Sequence, residues 1–202
     1  MVFSSLQICN IVATTQVNTK IDLKLLCEKY DFIVNKPEKN HKRCNKKSTN
    51  KFSGAVARFQ DPKSTCLLFS NGKIVCVGSK STKEVKKTID KLCKLILTPL
   101  VHESMINIQN VCGSFDYGQK MNLLDLYENL RQCQQVSFEP ELFPGIKIEI
   151  GINNMIANVF RSGKVVITGA SSIGKINIGY GRVVRIINSA MISKKYIKAL
   201  NC

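Results

Sequence analysis

Apolar and polar residues alternate from Leu6 to Thr15, and the period then lengthens, with Leu23, Leu26, Cys27 and Tyr30 on one stripe behind Asp22. An acidic side chain just before such a stripe suits a helix N-terminus, so a strand followed by a short helix is predicted. Alternation resumes from Phe52 through Arg58. The runs Thr65–Phe69 and Lys73–Val77 then flank Asn71-Gly72, a pair that favours a tight hairpin because both residues tolerate positive φ. Together these runs predict a meander of three strands. Val85, Ile89, Leu92, Cys93 and Ile96 fall at i, i+4, i+7, i+8 and i+11, the stripe of a long amphipathic helix covering one side of the sheet.

The order then recurs. A strand is predicted at Ile106–Phe115, a helix carries Leu123, Leu126, Tyr127 and Leu130, and a loop spans Phe138–Gly145. Strands follow at Ile146–Ile150, Met155–Phe160 and Lys164–Thr168, the last two joined at Ser162-Gly163. Gly174, Gly179 and Gly181 weaken the start of the final helix, which is placed from about Val183 to Leu200. The recurrence extends to single residues: Leu68–Gly78 aligns with Val159–Gly169 without a gap, Asn10–Thr14 with Asn110–Ser114, and Phe52 with Phe143. Residues 1–98 therefore read as repeat one, with a basic insertion at 36–51, and 99–202 as repeat two. A duplicated unit has an internal pseudo-two-fold axis and suits a nearly symmetric partner such as duplex DNA.

Charge narrows the partner. Thirty Lys and Arg against 14 Asp and Glu leave +16 on 202 residues, which suits a polyanion, either nucleic acid or an acidic membrane surface. No apolar run approaches the length that spans a bilayer and no signal peptide is evident, which disfavours the membrane and predicts reduced intracellular thiols. The nine cysteines are dispersed without a C-x-x-C pair, and the only His near one is His41, so no metal site is expected. The Gly-Lys pairs at Gly72-Lys73 and Gly163-Lys164 lack the spacing of a phosphate-binding loop. Asp61, Asp116 and Asp125 do not form a cluster, so neither catalysis nor a cofactor is expected.

Specific segments carry a family resemblance. Asn10–Thr14, Ile21–Lys24, Asp61-Pro62-Lys63, Ser70–Lys73, Ile108–Asn110, Phe138–Gly145 and Ser162–Lys164 make the chain resemble the conserved core of the TATA-box-binding protein family, without the long N-terminal tail of many members. The resemblance implies an α+β saddle, two pseudo-symmetric repeats forming one curved antiparallel sheet with helices on the convex face. Its concave face would bind the DNA minor groove and bend it by wedging apolar side chains between base steps. Phe52 with Phe69, and Phe143 with Phe160, stand at the wedge positions. By the same carry-over Val12, Val75, Cys112 and Val166 form the apolar floor, while Asn10, Asn110 and Thr168 donate to central base edges. A·T pairs would be preferred because a G·C pair brings an amino group into the groove.

Four positions depart from the family pattern. Val77 stands in place of the counterpart of Thr168, Cys112 replaces a valine, Asn158 replaces an apolar residue at the bases, and Glu149 replaces an arginine that commonly meets phosphate. A weakened or asymmetric sequence preference is therefore expected. The remaining phosphate contacts would be Arg58, Lys63, Lys73, Lys80 and Lys164. The insertion carries seven basic residues and one acidic one, and reads either as a solvated loop or as an extra phosphate clamp.

The resemblance also implies partners. Glu139, Glu141 and Leu142 match the repeat-two loop on which general transcription factor IIB docks, a factor IIA surface is implied along the repeat-one edge next to the insertion, and the RNA polymerase machinery is a further partner. The expected function is a transcription initiation factor, monomeric on A·T-rich promoter DNA, in the nucleus or at a cytoplasmic replication site if viral. The alternative is an interaction adaptor or non-specific DNA binder on the same fold, favoured by Val77, Asn158 and Glu149.

Overall fold

The computed structural model describes residues 3–34, 53–132, 134–151 and 154–200, the side chains of Ser104 and 192–200 excepted. The basic insertion and Phe52 lie outside the described residues. In chain order the elements are β1 (Gln7–Gln16), α1 (Leu23–Lys29), β2 (Ile33–Val34), β3 (Gly54–Gln60), β4 (Lys63–Phe69), β5 (Lys73–Ser79) and α2 (Thr82–Leu95). After a single 3-10 turn at Glu103–Met105 come β6 (Asn107–Asp116), α3 (Leu123–Leu130), β7 (Val136–Ser137), β8 (Gly145–Glu149), β9 (Ile156–Phe160), β10 (Lys164–Ala170) and α4 (Ile173–Leu200). The class is α+β, with antiparallel strand pairing as expected.

The chain divides into two compact units, Asn10–Gln109 and Met1–Cys9 together with Asn110–Cys202. In the first the strand order is β2-β3-β4-β5-β1, and in the second β6-β10-β9-β8-β7. Each sheet buries one face. In the first unit Ile11, Ala13, Ala55, Ala57, Cys66, Leu68, Ile74 and Cys76 share a core with Val85, Ile89, Leu92 and Cys93 of α2. The second unit repeats this with Val111, Ile146, Ile148, Ala157, Val159, Val165 and Ile167 under Ile176, Val183 and Ile187 of α4. Fully burying one such aliphatic side chain contributes about 1.5–3 kcal/mol, so these faces hold helix to sheet.

Two buried hydroxyls in the first core satisfy each other. Ser64 Oγ donates to the Pro62 carbonyl at 2.9 Å, and the buried Thr88 hydroxyl lies 2.9 Å from Ser64 Oγ, supplying the second hydrogen. A hydrogen bond to Cys76 and burial push the Cys66 thiol well above its usual range, so it stays protonated. Among the described residues no three of His, Cys, Asp and Glu converge as a metal site, and no helix is long and apolar enough to cross a membrane.

Helix starts follow the expected capping chemistry. Asp22 accepts from the Lys24 and Leu25 amides at 3.0 and 3.1 Å, and Ser81 accepts from Glu84 at 3.2 Å, caps worth about 1 kcal/mol each. The last helix departs from the sequence reading: it begins at Ile173, not near Val183, with the Ser172 hydroxyl accepting the Lys175 amide at 3.2 Å. Of the three glycines there, Gly179 serves packing. A Cβ on Gly179 would come within 3.1 Å of Met155 Cε, so the bare backbone lets α4 lie close to the segment leading into β9. The two-residue strands β2 and β7 were not predicted, being too short to carry a period; each pairs along the edge of its hairpin.

Candidate nucleic-acid interface

The sheet face opposite the helices is built in register. In the first unit Val56, Leu67, Val75 and Thr14 are consecutive Cα partners across β3, β4, β5 and β1. The corresponding row of the second unit is Lys147, Asn158, Val166 and Ser114 across β8, β9, β10 and β6. A neighbouring row reads Arg58, Thr65 and Val77 in one unit, and Glu149, Ile156 and Thr168 in the other. Val12, Leu67, Val75, Val77, Cys112, Asn158, Val166 and Thr168 are all half-buried, while alternate residues on the same strands are fully buried under helices. Strand periodicity produces this division, since successive side chains point to opposite faces. Without a covering layer, the valines here are an apolar surface awaiting a partner.

One asparagine is clamped in each unit. The strand after each hairpin carries a glycine at positive φ, Gly78 at +96° and Gly169 at +93°. Register between β1 and β5, and between β6 and β10, shifts beside these glycines. The shift frees a backbone N–H from the ladder: Gly78 donates to Asn10 Oδ1 at 2.8 Å and Gly169 to Asn110 Oδ1 at 2.9 Å. With its oxygen held, each amide is left with Nδ2 as its donor. In the second unit Asn110 Nδ2 lies 3.3 Å from Thr168 Oγ1 and 3.4 Å from Cys112 Sγ, and Cys112 Sγ is 3.2 Å from Thr168 Oγ1. The first unit has valines, Val12 and Val77, in place of Cys112 and Thr168, so that polar cluster has no chemical counterpart.

At the hairpin end, Phe143 and Phe160 form a tilted pair with centroids 5.7 Å apart. Gly145 is the Cα partner of Phe160, and a Cβ there would lie 3.0 Å from Phe143 Cε1 and 3.2 Å from Phe160 Cδ1. The missing side chain is what seats the two rings. Lys147 Nζ lies 5.2 Å from the Phe143 centroid, within cation–π range. In the first unit Phe69 is likewise half-buried and opposite Gly54.

The loop leading to Phe143 is a tight turn, with Leu142 and Phe143 amides donating to the Glu139 carbonyl at 3.0 and 2.9 Å. It leaves Leu142 81% exposed between exposed Glu139 and Glu141. The expected phosphate contacts Arg58, Lys63, Lys73, Lys80 and Lys164 are exposed. Elsewhere two lysines are engaged by Asp61, at 3.0 Å from Lys87 and 3.5 Å from Lys91, and the Lys87 hydrogen bond and both charges hold its carboxyl below the usual range.

Comparison with known proteins gives this surface a family. The family model described as "Transcription factor TFIID (or TATA-binding protein, TBP)" matches residues 5–98 and 105–190. The chain belongs to the TATA-binding protein family. It is 35% identical to TATA-box-binding protein 2 of Entamoeba histolytica over 184 residues, 90% of this chain and 80% of that protein. Identity to the TATA-box-binding protein of Archaeoglobus fulgidus is 30% over 170 residues, 83% and 86% of the two chains. The structure matches that of Methanococcus jannaschii TBP with a TM-score of 0.72 at 28% identity, covering 92% of this chain and 99% of the other. The chain is thus a TATA-binding-protein-like, DNA-binding transcription factor and not an enzyme.

Within this TATA-binding protein fold, the structure brings Asn10, Val75 and Val77 together on one open sheet face, and Asn110, Cys112, Phe143, Asn158, Phe160, Val166 and Thr168 on the other. Sequence reasoning missed the amide clamps of Gly78 and Gly169, the seat at Gly145, and Lys147. Lys147 was in principle legible, because it alternates in phase with Glu149.

Proposed function

We propose that this protein initiates transcription by binding A·T-rich promoter DNA in the minor groove, each unit presenting its open sheet face to half of the site. The observation that carries the reading is the duplicated face: a clamped asparagine (Asn10, Asn110), a half-buried valine on the strand after the hairpin (Val75, Val166) and a half-buried phenylalanine at the hairpin end (Phe69, Phe160) recur in both units. A clamped Nδ2 donor matches the acceptors that adenine N3 and thymine O2 present in that groove, and the valines suit a groove from which no guanine amino group projects. The tilted Phe143 and Phe160 are wedges able to unstack a base step and kink the duplex. Exposed lysines and the +16 charge supply phosphate contacts and fast encounter. Leu142, exposed between two carboxylates, suits a factor IIB-like partner with a basic, apolar surface; a factor IIA-like partner and polymerase machinery would follow in the nucleus.

The test is end-to-end fluorescence transfer on a short TATA-containing duplex and a G·C-rich control, at one fixed salt concentration. Bending of the TATA duplex alone is the expected result. Salt-sensitive binding of both duplexes without bending would move the protein to the adaptor or non-specific reading, which Val77, Asn158 and Glu149 favour. A second measurement follows from the missing cluster. Val77→Thr places a hydroxyl beside Asn10, and is expected to tighten TATA binding by about 1 kcal/mol, roughly fivefold, in a fluorescence titration.

A further inference from the structure

We propose that Asn158 is a receptor for the guanine amino group, so that the unit carrying it accepts a G·C pair where the other unit rejects one. The inference rests on the minor-groove reading above and adds an asymmetric base preference. Its ground is the comparison of equivalent rows. Leu67 lies between Val56 and Val75, all apolar, whereas Asn158 lies between Lys147 and Val166. The gapless match of Leu68-Phe69 to Val159-Phe160 puts Leu67 and Asn158 at the same place, two residues before the hairpin phenylalanine. Asn158 is half-buried on the open face, and among the described residues its side-chain amide has no hydrogen-bond partner.

The chemistry separates the two sites. In the minor groove a G·C pair differs from A·T by one donor, the guanine N2 amino group. Against Leu67 that donor loses its water and finds no acceptor, which excludes G·C. Against Asn158 it meets Oδ1, while Nδ2 can donate to the guanine N3 or cytosine O2 beside it. The same amide can turn to donate to A·T acceptors, so the second unit tolerates both pairs. Since the amino group sits near the middle of the groove, either strand can carry the guanine.

A palindromic A·T-rich duplex tests this without fixing the orientation of the protein, which can turn to place Asn158 over a single G·C pair. Dyad-related positions are replaced by G·C one at a time and then together, and affinity and bending are measured for each pair of positions. At one such pair, the first G·C is expected to cost the wild type less than about twofold, and the second about tenfold or more, the usual range for a mismatch. Inosine·C, which lacks the amino group, should cost little at either place. Asn158→Leu, which installs the residue the other unit carries, should make the first G·C cost as much as the second. Leu67→Asn should make the second tolerated. Equal cost of the first and second G·C at every position in the wild type, or an unchanged profile in Asn158→Leu, would overturn the proposal while bending of the all-A·T duplex leaves the minor-groove reading standing. Failure to bind or bend any duplex would overturn both.

Discussion

Replacing Phe143 and Phe160 together by alanine is expected to abolish bending of a TATA duplex and to lower affinity by about a hundredfold or more. The magnitude follows from burial: inserting one phenylalanine into a base step removes its ring from water, worth about 1.5–3 kcal/mol, so two wedges contribute about 3–6 kcal/mol before unstacking is subtracted. Each 1.4 kcal/mol is about tenfold in affinity. The folded protein itself should lose little, because both rings are half-buried on the open face and outside the helix-covered core. Their mutual contact is worth only about 0.5–1.5 kcal/mol. Thermal unfolding of the double variant, run beside fluorescence transfer at one salt concentration, separates loss of wedging from loss of fold. Unchanged bending would refute intercalation at this end.

The second large effect concerns stability, and it has opposite signs at two glycines. Gly163→Ala is expected to destabilise the protein by about 3 kcal/mol or more, whereas Gly181→Ala should stabilise it by about 0.5–1 kcal/mol, both read from urea unfolding midpoints. Gly163 sits at φ +94°, and an added Cβ would come within 2.3 Å of the Gln119 carbonyl oxygen, a backbone atom that has nowhere to go. The hairpin tip is tied there on both sides, Tyr117 donating to Gly163 O at 2.9 Å and Gly163 donating to Phe160 O at 2.9 Å. Gly72 repeats the situation at φ +86° against Val17 O. Gly181, in contrast, lies inside α4 with nothing within 4 Å of its would-be Cβ, so alanine only removes the entropy penalty of a helical glycine. Equal effects at the two positions would refute this account of the hairpin.

Those glycines mark where reading a sequence succeeds and where it stops. Asn71-Gly72 and Ser162-Gly163 were legible as hairpin turns because turn geometry is a local backbone property. Asp22 was legible as a cap for the same reason. Gly174, Gly179 and Gly181 were misread as a weak helix start, since local propensity counts their cost and cannot see Met155 lying against Gly179. The site divides the same way. The family resemblance assigned Val75 and Val166 to the open faces, and the duplicated segments paired Phe69 with Phe160. No local pattern shows that the Gly78 and Gly169 amides hold Asn10 and Asn110, because each bond joins residues far apart in the chain.

The chain's one-dimensional pattern already carried the repeated order of strands and helices and the basic character, and its resemblance to a known family supplied the family and the residues expected on the open faces. The order of elements depends on periodicity and turn residues, and the family on short segments matched to a known pattern, all of them readable along one dimension. The cross-strand rows, the orientation of the clamped amides and the seating of Phe143 against Phe160 over Gly145 emerge only once the chain is folded. So does the place of Asn158, which answers Leu67 between a lysine and a valine. Those are properties of register and close approach, and register is set by which face each strand buries beneath its helix.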